Sequence, residues 1–243
     1  MNHLLSALLR IAPDLPVSEI ALSAGQPVQE IRAAIPNLIF PTTAAVCAVI
    51  PLDNGGQREA GLVGCEGVIG VEGFWVHDTC SAARWLVQIS GRAAVVRVDR
   101  ARASLARLAA AQHHLHVFHQ AFVGQVMQIA ACNATHSAEA RVARWLLLCV
   151  DRVPGIEVSL THQSIADILG ISRPRVTLIA QAMQASGLIR YNRGVVTVVD
   201  QVGLARAACE CYAVIRQFYE ALLPYRPDCD HEAFLSTSAA GSV

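Results

Sequence analysis

The chain has 243 residues, a length that suits one or two domains. Hydrophobic residues make up 53% and charged residues 16%, which excludes a disordered chain and requires a packed core. The formal net charge is zero, which at first argues against nucleic-acid binding, and every Lys/Arg position is arginine.

Met1 to Ile11 has apolar residues at positions 4, 5, 8 and 9, the pattern of an amphipathic surface helix packed on a domain. It lacks the cationic start and long apolar run of a signal peptide, and no uninterrupted apolar stretch reaches transmembrane length. A cytoplasmic protein with no membrane partner is expected. Residues 12–100 carry short apolar runs, among them 44–50, 85–89 and 93–98, separated by Gly, Pro and an Asp-Asn-Gly-Gly turn. This spacing predicts several short strands closed into a roll or barrel. The stretch GLVGCEGVIGVEG at 61–73 is Gly-rich, which alone is weak evidence of phosphate binding.

Residues 101–131 read as one long helix. Leu108, Leu115, Phe122 and Ile129 recur every seven residues. Leu105, Gln112, His119 and Val126 form the companion series. Together they make a heptad seam suited to a parallel homodimer, with Gln112 and His119 able to set register. His113, His114, His116 and His119 form a dense cluster. No adjacent Cys or carboxylate completes a metal-ligand spacing, so packing is the expected role.

The most informative stretch is His162 to Ile189. Thr161 and Ser172 are N-caps for two short helices, Ala166 allows close helix crossing, and Gly170 suits a left-handed turn between them. Val176 and Ile179 face back onto the first helix. This is the arrangement that sets a recognition helix into the DNA major groove. Residues 189–199 are β-branched around Asn192-Arg193-Gly194, a hairpin that would serve as a wing. Residues 134–206 hold eight arginines and five acids, +3, against −3 for the remainder.

With Val176, Ile179 and Met183 inward, the leading and outward positions are Arg173, Pro174, Thr177, Leu178 and Gln181. Arg173 can bond guanine with its fork. Arg175, Arg190 and Arg193 suit phosphate contacts, and Thr161 belongs to the same DNA-binding set.

Leu160 to Ala166, the Leu169-Gly170-Ile171-Ser172-Arg173 turn, Gly187-Leu188-Ile189 and Arg193-Gly194 resemble the Crp–Fnr (cyclic-AMP receptor protein and fumarate–nitrate regulator) family. The resemblance implies an α+β chain in four parts. These are a sensor β-roll (1–100), a dimerisation helix (101–133), a winged helix-turn-helix (134–206), and a C-terminal helix and tail (207–243). It implies a dimeric transcription regulator of near-palindromic double-stranded DNA, with RNA polymerase and an unknown effector as partners. Against the family pattern, Val68 stands where cyclic-nucleotide-binding members have a ribose-binding Glu, and Cys80 where they have a phosphate-binding Arg. An aliphatic side chain and a thiol cannot make those contacts, so cyclic AMP is not the expected effector. Pro174 and Leu178 stand where family members often have Glu and Arg. A different operator is implied, with Leu178 free to contact a thymine methyl.

The eight cysteines are scattered, which predicts free thiols rather than a disulfide framework. The cysteine cluster that carries an iron–sulfur centre near the N-terminus of some family members is absent. Leu204 to Leu223 reads as a helix, in which Cys209 and Cys211 would diverge by about 200° and could not chelate as a pair. Cys229 follows a Pro-containing turn and could be redox-active. No metal site is expected, and the cofactor is unknown. No enzyme signature is present, so no catalytic residue is assigned. The rival reading is a haem, metal or redox-sensing protein whose helix-turn-helix is structural.

Overall fold

A computed structural model describes residues 1–53 and 55–223. Cys229 and the tail around it lie outside the described residues. Helix α1 (His3–Ile11) buries Leu4, Leu5 and Leu8. Its N-cap, Asn2, is wholly buried and fully used. Asn2 Oδ1 accepts from Leu5 N at 2.9 Å, and Nδ2 donates to Pro41 O and Gly67 O at 2.8 Å each.

Seven strands follow: β1 (Ser18–Leu22), β2 (Pro27–Gln29), β3 (Asn37–Pro41), β4 (Ala45–Pro51), β5 (Gln57–Val63), β6 (Arg84–Ile89) and β7 (Gly91–Arg97). Helix α2 (Val71–Trp75) lies between β5 and β6. They form two antiparallel sheets in the orders β1-β7-β3 and β2-β6-β4-β5. The apolar run of β4 sits centrally between β5 and β6, and Ala45 to Val49 are buried on both faces. This is the expected β-roll.

The expected single helix over 101–131 is two. Helix α3 (Val98–Leu105) ends, Ala106 to Leu108 leave the helical path, and α4 (Ala109–Thr135) begins. The break needs no proline. Arg102 is pinned to α2, its guanidinium donating to the Phe74, Gly73 and Val76 carbonyls. Helix α4 instead lies against α1, β5 and the C-terminal helix at 211–222, so different partners hold the two helices.

The heptad positions also face a different way from that expected. Leu115 and Ile129 are buried within the chain, and Leu108 and Phe122 pack against its own core. The Phe122 ring lies 5.5 Å from that of Trp85, and Phe118 sits where a Cβ on Gly67 would be, 2.0 Å away. These residues pack in the core of the chain, and leave the opposite side of α4 outward. There Gln120, Met127, Ala130 and Ala134 are exposed and Val123 is half-buried.

Helix α5 (Ala138–Asp151) is buried on nearly every side from Val142 onward. It carries two arginines into the interior. Arg144 Nη2 meets Glu59 Oε2 of β5 at 2.7 Å, both side chains almost wholly buried. Arg152 Nε meets Glu66 Oε1 at 3.1 Å, its Nη2 donates to Gln125 Oε1 of α4 at 2.8 Å, and its Nη1 to Leu148 O. Burial still raises the Glu66 carboxyl, with Arg152 opposing that shift. Beyond α5 come β8 (Glu157–Ser159), α6 (His162–Leu169), α7 (Arg173–Ala185), β9 (Ile189–Asn192), β10 (Val195–Val198), α8 (Gln201–Ala207) and α9 (Cys211–Leu222).

The expected helix over 204–223 is also broken. Ala208 is extended, with φ −75° and ψ 162°, and separates α8, packed on α5, from α9, packed on α4. Among the described residues no helix is long and apolar enough to cross a membrane.

Candidate DNA-binding surface

Thr161 caps α6 in a full capping box: Ser164 N donates to Thr161 Oγ1 at 3.0 Å, and Thr161 N to Ser164 Oγ at 3.1 Å. Gly170 ends the helix at φ +65°. A side chain there would be strained and would also strike the Arg58 guanidinium, which lies 2.2 Å from the Cβ position. Ser172 caps α7, and Pro174 sits in its first turn, where no amide donor is needed. Val176, Ile179, Ala180 and Met183 are buried against Ile165, Ala166, Ile168 and Leu169.

The outward face of α7 is therefore Arg173, Leu178 and Gln181, all exposed, with Leu178 showing 61% of its surface. Thr177 is only half-buried, and its hydroxyl is committed. It donates to Arg173 O at 3.1 Å and lies 3.0 Å from His162 Nδ1. Arg175 points to the flank, where it pairs with Glu139 of α5. The Thr161 hydroxyl is spent on the cap.

The wing is three-stranded, in the order β8-β10-β9. Its tip is Arg193-Gly194, with φ of +47° and +83°. Two left-handed residues joining paired Asn192 and Val195 make the mirror-image turn that matches strand twist. Arg190 and Arg193 are exposed beside α7. Strand β8 and the Arg175–Glu139 pair had no local sequence signal, since Glu139 lies 36 residues from its partner.

His162 is the other residue missed. Its ring stacks on Tyr191 of the wing, with centroids 4.3 Å apart. Because Thr177 donates to Arg173 O, the His162 Nδ1–H donates to Thr177 Oγ1, and the buried Nε2 has no partner. Burial, and then the Arg173 cation, hold this imidazole below its ordinary pKa.

Comparison with known proteins agrees with this geometry. Residues 140–207 match the family model of the Crp-like helix-turn-helix domain. This part of the chain is similar to a Crp-like helix-turn-helix domain. No curated protein sequence matches it. The overall fold is shared with several solved regulators. FixK2 of Bradyrhizobium japonicum is 14% identical, with a TM-score of 0.67 over 80% of this chain and 98% of that one. A CRP-family transcriptional regulator of Thermus thermophilus is 19% identical, with a TM-score of 0.63 over 78% and 96%. The c-di-GMP-responsive global regulator CLP of Xanthomonas campestris is 15% identical, with a TM-score of 0.59 over 80% and 97%. The chain thus combines a Crp-like helix-turn-helix domain at 140–207 with an overall fold shared with these regulators.

In the 113–119 cluster, His116 and His119 pack on an aromatic ring. Trp75 stacks on His116 at 4.5 Å and meets His119 edge-on at 5.2 Å.

The state of His162 gives a pH dependence. Its folded pKa is depressed, so the unfolded state takes up the proton first, near the ordinary value of about 6.5. Stability from this residue is complete above that value and declines as pH falls below it. His162→Gln keeps a polar group beside Thr177 but does not titrate. Thermal melts at about pH 7.5 and about pH 5.5 should show a smaller acid-induced loss of Tm for the variant than for the wild type. Equal losses would contradict the assigned state of this ring.

Proposed function

We propose that the chain is a homodimeric, sequence-specific regulator. Arg173, Leu178 and Gln181 read base edges, while Arg190 and Arg193 hold the phosphate backbone. The observation that carries this reading is the exposed edge of α7 beside an arginine-tipped wing. Two such surfaces in a dimer suit a near-palindromic operator with half-sites about 34 Å apart. Thr177 and Thr161 serve as supports for the reading head, and Arg175 positions α7 against α5.

The dimer face that the side-chain directions favour is the outward side of α4. Gln120, Val123, Met127, Ala130 and Ala134 follow the alternating three- and four-residue spacing of a helix–helix seam. The sensor is proposed to respond to something other than a cyclic nucleotide. Val68 is buried, Cys80 is an exposed free cysteine without a guanidinium fork, and Arg84 is paired with Glu30 at 3.2 Å. Phe118, Phe122 and Trp85 fill the space between β-roll and α4. RNA polymerase and an effector are the further partners this reading carries.

Binding to selected operator fragments and to random DNA tests the reading. Arg173→Ala should cost about 1–3 kcal/mol on the operator and relax preference at one base pair per half-site. Arg193→Ala should weaken both DNAs alike and flatten the salt dependence. Equal weakening of specific and random DNA by Arg173→Ala would overturn the assignment. In sedimentation, Met127→Asp should yield folded monomers at about micromolar concentration, because two carboxylates would be desolvated at the seam. A dimer that survives this change does not use this face of α4.

A further inference from the structure

At the far end of α4, three segments bring four soft ligand atoms together. Cys132 lies in the last turn of α4, His136 caps that helix, and Cys209 and Cys211 flank the break between α8 and α9. Their ligand atoms all lie within 4.8 Å of one another. Cys132 Sγ is 3.5 Å from Cys209 Sγ, and Cys211 Sγ is 3.5 Å from His136 Nδ1. The three thiols are buried and His136 is partly so.

We propose that Cys132, His136, Cys209 and Cys211 bind one tetrahedral, thiolate-preferring divalent ion of the zinc class. A metal–sulfur bond of about 2.3 Å places tetrahedral sulfurs about 3.8 Å apart, which is the scale of this cluster. The four ligands of an iron–sulfur cluster are spread over two or four irons, so as a set they span more than the ligands of one ion. A donor set of three sulfurs and one imidazole, with no carboxylate, disfavours magnesium and calcium.

The surroundings are those of a ligand set rather than of chance thiols. His136 turns Nδ1 toward the sulfurs and places Nε2 3.1 Å from Glu210 Oε1. A carboxylate on the far nitrogen fixes tautomer and ring orientation, as it does for metal-bound histidines. Gln128 Nε2 donates to Cys211 Sγ at 3.0 Å and so orients that sulfur. Binding would send the thiol protons to solvent.

The ion would staple the end of α4 to the segment that follows the wing. This site is independent of the DNA-reading assignments. Its presence or absence leaves them standing.

The test uses the full chain, purified under reducing conditions from zinc-supplemented cells. Elemental analysis should find about one zinc per chain, and cobalt exchange should give the intense absorption of a tetrahedral thiolate site. Cys209→Ser with Cys211→Ser should abolish both signals, whereas Cys80→Ser, exposed in the sensor, should leave them unchanged. Glu210→Gln should weaken affinity by about 10–100-fold. Should the double variant not fold, the wild-type stoichiometry and cobalt spectrum still decide. A wild-type chain that holds no metal and gives no tetrahedral cobalt spectrum overturns the proposal. So does a Cys132–Cys209 disulfide in its place, or metal retained by a folded double variant.

Discussion

Arg152 is the point on which the architecture turns. It caps α5, the helix that leads into the helix-turn-helix, yet its guanidinium lies against the β-roll. It meets Glu66 beyond β5, Gln125 of α4 and the Leu62 carbonyl, and its Cζ lies 5.2 Å from the Tyr219 ring of α9. Eight residues earlier, about 12 Å along the helix, Arg144 makes the second buried pair with Glu59. Such pairs add little net stability over an apolar core, because both partners must be desolvated. What they do is penalise any arrangement that leaves one partner alone, so α5 has one seat on β5. The orientation of α6, α7 and the wing follows from that seat.

The reading head was legible in the sequence because its signals are local. Thr161, Ser172, Gly170 and Gly187 are caps and turns whose meaning lies within three or four neighbours. Val176, Ile179 and Met183 mark one helical face. Arg193-Gly194 needs only its own backbone angles to close the wing. The β-roll was legible at the level of runs such as 44–50, which became β4.

What failed were inferences about direction and continuity. An apolar stripe on α4 does not say whether it meets a second copy or the chain's own sheet, and Leu115 and Ile129 meet the sheet. Helix propensity ran through Ala106–Leu108 and through Ala208–Glu210, but different packing partners on either side broke both helices. The second break matters most, because it undid the argument that Cys209 and Cys211 diverge. Neither His136 nor Cys132 is near them in sequence, so only the fold could assemble the four. The buried pairs Arg144–Glu59 and Arg152–Glu66 span 85 and 86 residues and left no local trace.

The β-roll and the winged helix-turn-helix should unfold as one body, because α5 is seated by its buried arginines. Equilibrium urea unfolding of single-tryptophan variants measures this directly, with Trp85 reporting the β-roll and Trp145 reporting α5. Coincident transitions with one midpoint are expected, and their separation in an Arg152→Met background. Two distinct transitions in the otherwise wild-type chain would show that the parts are independent and would contradict it.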